Sequence, residues 1–115
     1  PHQHDIESGE EIIVSLGGTS ATVIFSDAGI IEEIILLSPF HLCADKKSAV
    51  VVTLLPGTWH TVIALDENVT LLEVKKGPFN PDAAKIFADW APAEGSKLAP
   101  AYLNDLIRKT KTSFF

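Results

Sequence analysis

Residues 11–37 read EIIVSLGGTSATVIFSDAGIIEEIILL, and this stretch decides the fold. Glu11 to Leu16 is rich in β-branched side chains and runs into Gly17-Gly18, the pattern of a strand that stops at a turn. Thr19 to Phe25 alternates and is again strand-like, Ser26-Asp27-Ala28-Gly29 is a hairpin signal, and Ile30 to Leu37 forms the return strand. Downstream, Ser48 to Leu55 is a strand closed by Pro56-Gly57, Trp59 to Leu65 is another, and Asp66-Glu67-Asn68 turns the chain into Val69 to Lys75. Upstream, Pro1-His2-Gln3-His4 reads as strand and Asp5 to Gly9 as a polar, turn-like connection. About seven short strands with turn signals every 8–12 residues point to an antiparallel sandwich or barrel.

The character changes after Gly77-Pro78. Asp82 to Trp90 carries helix formers, with Ile86, Phe87 and Trp90 at helical spacing and Pro92 as a stop. Ala99 to Lys111 is expected to be a second helix, with Pro100 early, Leu103, Leu106 and Ile107 on one face, and basic residues in its last turn. Strands at about 1–76 and a helical segment at about 81–111 therefore make one domain. Glu11–Leu16 and Ile30–Leu37 are apolar on both faces, so their outer sides need a cover. The terminal helices can supply part of it and a second subunit the rest, which makes a homodimer the expected state. Phe114-Phe115 is expected to pack on the barrel or on that neighbour.

Composition narrows the function classes. The 115 residues, 46% of them apolar, are enough for a real core. Net charge is −6, Arg108 is the sole arginine, and pI is near 5.0, which argues against a nucleic-acid partner. Glu32, Glu33 and Asp45 are among the charges that interrupt every apolar run before the ~18 residues a membrane helix needs. There is no basic, apolar leader, and Cys43 is a lone cysteine expected to be a buried small hydrophobe, so a reducing cytoplasm is the natural compartment. The chain lacks methionine and opens within a strand, so either processing or further upstream strands are expected.

The chemistry gathers at histidine. In an extended strand His2 and His4 project to one face, and neutral imidazole is the commonest protein ligand for transition metals. A third, His60, follows a turn in Pro56-Gly57-Thr58-Trp59-His60. An isolated His-x-His is more often two exposed polar residues; it is the company these keep that counts. The strand-rich pattern with PHQH at 1–4, EIIVSLGG at 11–18, PGTWHTVIAL at 56–65 and LLEVKKGPF through KIFADWAPAEG at 71–95 resembles the WbuC-type family of the cupin superfamily. These segments span almost the whole chain.

That resemblance implies a mainly β fold, an antiparallel cupin barrel of jelly-roll kind with two short C-terminal helices. It implies one divalent transition metal (Fe, Mn, Ni, Co or Zn) held by His2, His4 and His60 with one carboxylate. Family spacing to the strand-ending glycine pairs Glu11 with Gly18 or Glu10 with Gly17; Glu11 is favoured, and Glu10 stays open because it shares a face with Ile12, Val14 and Leu16. Where cupins normally place Asn past the second-motif His, Ala64 stands here. The implied role is a small-molecule enzyme linked to bacterial surface-polysaccharide or sugar metabolism, acting on a substrate such as a sugar derivative. A non-haem iron dioxygenase and a non-catalytic metal- or sugar-binding module are the alternatives.

Other residues bear on the site. Glu73 and Lys75 lie two apart on one strand and project together, as a catalytic acid/base or anchoring pair or as a solvated ion pair. Ser15 lines the pocket if Glu11 points inward. Trp59 points opposite to His60 and reads as packing, His41 as surface, and Trp90 to Gly95 as a structural stop packed on the barrel.

Overall fold

A computed structural model describes residues 1–4, 9–42, 48–77 and 85–115. The expected strands condense into eight: β1 (His2–Gln3), β2 (Glu11–Gly17), β3 (Ser20–Phe25), β4 (Ile31–Leu37), β5 (Val51–Leu54), β6 (Trp59–Ala64), β7 (Thr70–Lys75) and β8 (Ile86–Phe87). They pair antiparallel in two sheets, ordered β4-β3-β6-β1-β8 and β5-β2-β7. Alternation along β2 turns Glu11, Ile13 and Ser15 inward, where all three are buried. The two sheets meet over Ile13, Leu37, Val52 and Leu54, with Ile24, Ile35, Val62 and Leu71 packed around them.

The outer face of the larger sheet is covered as anticipated. Ala21, Val23, Phe25, Leu36 and Ile63 are buried there beneath Leu106 of the helix α1 (Ala99–Phe114), with Tyr102, Ile107 and Phe114 packed alongside. The helix runs three residues past Lys111, the end read from sequence, and Thr112 and Ser113 hydroxyls bond back to the Arg108 and Lys109 carbonyls. Phe114 thus packs on the sheet, whereas Phe115 is exposed. On the outer face of the smaller sheet Leu16, Val51, Leu72 and Val74 are all exposed among the described residues.

One expectation fails. The helix read over Asp82–Trp90 is not formed in its described part: Ile86–Phe87 is strand β8, with Phe87 opposite His2 and Ile86 opposite Gln3. The open edge of β1 offers backbone partners, and pairing with them outweighs a weak helical spacing in a segment bounded by Pro78 and Pro92. Among the described residues one C-terminal helix therefore stands where two were expected. Trp90 nevertheless packs as anticipated, against Phe25 and Trp59 at ring-centroid distances of 5.0 and 5.8 Å. A side chain at Gly29 would collide with it, since an added Cβ would lie 2.6 Å from the indole; with φ of +86° as well, the hairpin turn admits only glycine. Cys43 and most of the Asp5–Gly9 connection fall outside the described residues.

Candidate metal centre

Strand pairing assembles the centre from distant parts of the sequence. His2 of β1 lies directly opposite His60 of β6, and directly opposed side chains share a face. His4 follows β1 and is fixed by a backbone hydrogen bond in which Gly57 N–H donates to the His4 carbonyl oxygen over 2.7 Å. Gly57 has a φ of +80°, so the Pro56-Gly57 turn that presents His60 also anchors His4. Glu11 reaches in from β2 of the opposite sheet.

Ligand atoms of His2, His4, Glu11 and His60 lie within 4.8 Å of one another. His4, Glu11 and His60 are buried at 4%, 3% and 1% exposure, and His2 is half-buried at the mouth. Glu11 Oε2 is 2.7 Å from His4 Nε2 and 3.4 Å from His60 Nε2. Of the two carboxylates considered, Glu11 is in the cluster, whereas Glu10 is exposed.

Hydrogen bonds set the ring states. The Thr58 carbonyl oxygen lies 2.8 Å from His60 Nδ1 and can only accept, so the neutral ring carries its proton there and leaves a lone pair on Nε2. That lone pair faces the Glu11 carboxylate across 3.4 Å. Two buried acceptors side by side repel unless a cation separates them, and this donor set fits one. His4 is held differently. Lys75 Nζ lies 3.1 Å from His4 Nδ1, and an ammonium can only donate, so the neutral ring's proton sits on Nε2, toward Glu11.

Electrostatics keep His2 and Glu11 in ligand form at neutral pH. Burial lowers the His2 pKa to about 3, with His60, Lys85 and His4 adding repulsion, so the ring is neutral. Burial alone would raise the Glu11 carboxyl, but its interactions with the His60 and His4 rings beside it outweigh that and its pKa falls to about 2. A carboxylate and neutral imidazoles are the forms a metal needs. The buried His2-His4-Glu11-His60 group can therefore hold a metal ion.

The cluster forms one side of a cavity of about 720 Å³, lined by His2, Glu11 and His60 and by residues of β7, β8 and the segment after it. Glu73 and Lys75 share the inward face of β7, opposite Ile13 and Glu11, as their spacing indicates. Their surroundings separate them: Glu73 lines the cavity, while Lys75 turns to His4. Ser15 is buried but not on the cavity wall, and its hydroxyl donates to the Gly18 carbonyl oxygen over 3.5 Å. Trp59 Nε1 donates to Asp27 Oδ1 over 3.1 Å and packs outside the site, and His41 is exposed on a 3-10 turn at Phe40–Leu42.

Sequence reasoning missed four wall residues, Lys85, Phe87, Asp89 and Glu94, because they fall in the segment read as a helix and its stop. The β-prone Ile86-Phe87 pair is a signal for strand, but a pair is too short to show a period. No helix among the described residues is long and apolar enough to cross a membrane. Comparison with models of known protein families gives no match, and comparison with curated proteins gives none either.

Proposed function

We propose that this chain is a cupin-type metalloprotein of the WbuC kind, holding one divalent transition metal through His2, His4, His60 and Glu11 and offering it to a small molecule in the adjoining cavity. The observation that carries the reading is the convergence, within 4.8 Å, of four ligand atoms contributed by two sheets. Three imidazoles and one carboxylate form a borderline set suited to Fe, Mn, Ni, Co or Zn in the divalent state. A metal so held supplies Lewis acidity and a lowered pKa for bound water.

The chain's own residues divide the remaining work. Thr58 holds the His60 ring with Nε2 toward the site, as a carbonyl behind a ligating histidine does. Glu73, on the cavity wall, is the residue placed to accept or return a proton on a bound molecule. Lys75 acts on the site through His4, whose Nδ1 faces its ammonium. The substrate is a small molecule, with a sugar derivative of bacterial surface-polysaccharide metabolism favoured by the family resemblance alone. A homodimer is proposed on the bare apolar face of the smaller sheet, where Leu16, Val51, Leu72 and Val74 are exposed.

Elemental analysis of protein purified without chelators or immobilised nickel tests the metal assignment. One equivalent of a single first-row metal is expected in the parent and less than a tenth of that in a folded His60→Ala variant. Equal metal in both would remove His60 from the site.

A further inference from the structure

The cavity beside the cluster has walls whose charge has no part in holding a metal. Across β6, β1 and β8, His60, His2 and Phe87 stand in one cross-strand row, so the Phe87 ring is the lateral neighbour of His2 on the cavity side. Phe87 is 61% exposed, an aromatic face left open beside the site. Around it, among the described residues, the charged side chains on the wall are Glu73, Asp89 and Glu94 against Lys85, a net of −2. Glu11, almost fully buried, lines the same space from its floor. A phosphate or sulfate group would need several donors or cations on this wall, and it meets carboxylates instead.

We infer that the cavity selects by charge: it admits a compact uncharged or cationic ligand, with a flat or apolar side against Phe87, and discriminates against ligands with an anionic tail. The inference rests on the proposed metal site, because the metal supplies the reporter. A donor group of the ligand reaches the ion, so its remaining atoms lie among Glu73, Asp89 and Glu94 and feel their field. Phosphorylated and sulfated compounds are thereby disfavoured as ligands even where their coordinating end fits.

Cobalt(II)-loaded protein gives a direct test, since its visible d–d bands shift when an outside donor binds. Pyridine-3-carboxamide and pyridine-3-sulfonate present the same ring nitrogen with an uncharged and an anionic tail. At low ionic strength the carboxamide is expected to bind about tenfold tighter than the sulfonate. In the Asp89→Asn, Glu94→Gln double variant the sulfonate is expected to gain several-fold while the carboxamide is unchanged. Half-molar salt should shrink the parent's discrimination in the same direction. Equal affinities in the parent, a preference that survives the double substitution, or no spectral response to either probe would overturn the inference. Absence of the cobalt bands before any probe is added would instead refute the metal site.

Discussion

The space between the two sheets has two ends, built from the same strands and treated oppositely. At one end Ile13, Leu37, Val52 and Leu54 close a dry core. At the other, one pleat along β2, Glu11 meets three imidazoles beside an open cavity. Pleated backbone fixes which side chains face inward but not what they are, so one strand can serve both ends. The difference lies in what each end requires to be stable. Apolar side chains gain by mutual burial, whereas facing acceptors gain only when a cation joins them.

The largest effect should come from breaking the dry end. Ile13 is fully buried, and Ile13→Ala should cost about 2–5 kcal/mol in urea unfolding while leaving the metal content of the folded fraction unchanged. Loss of metal from that variant would show that the two ends are not separable. At the polar end, a saturating metal at 100 times its Kd should add about 2.7 kcal/mol to stability. Glu11→Gln should lose most of that increment, since a neutral amide is a poor ligand for these ions; an undiminished increment in the variant would remove the carboxylate from the set.

Acid should act mainly on the polar end. Glu11, whose pKa is lowered, contributes stability above the ordinary carboxylate range that is lost as pH falls toward about 2. His2, also lowered, resists protonation in the folded chain, so between about 6.5 and 3 the unfolded chain binds the extra proton and stability falls with pH. Unfolding of the metal-free protein should therefore ease steadily below pH 6.5, and His2→Gln should flatten the limb between 6.5 and 3. A limb of the same slope in that variant would assign the proton elsewhere.

The smallest expected effect separates His4 from His60. Thr58 fixes His60 in the tautomer a metal needs at Nε2, whereas Lys75 favours the opposite one in His4 and adds positive charge nearby. Lys75→Met should tighten metal binding by about tenfold in competition with a coloured chelator, the low end of the effect of a changed partner behind a ligand. A weakened affinity would mean that Lys75 orients His4 for the metal rather than against it.

Much of this division was legible along β2. Its stop at Gly17-Gly18 marks a strand, and alternation places Glu11, Ile13 and Ser15 together; that face is the inner one, which takes Glu11 inward and leaves Glu10 exposed. The helix α1 was legible from Leu106 and Ile107 on one face with Pro100 at its start. The direct opposition of His2 and His60 was not, because register between strands 58 residues apart depends on every intervening turn. Nor was β8, whose residues pair with β1 for want of another partner at that edge and bring Phe87 and its charged neighbours to the cavity. The partition of Glu73 from Lys75 was hidden for the same reason: spacing puts them on one face, but only the position of His4 across the gap draws Lys75 away.

X-ray absorption at the zinc edge of reconstituted protein addresses the shared centre most directly. The account predicts imidazole scattering from about three nitrogens at 2.0–2.1 Å together with a carboxylate oxygen. A shell of oxygen alone, with no imidazole contribution, would contradict it.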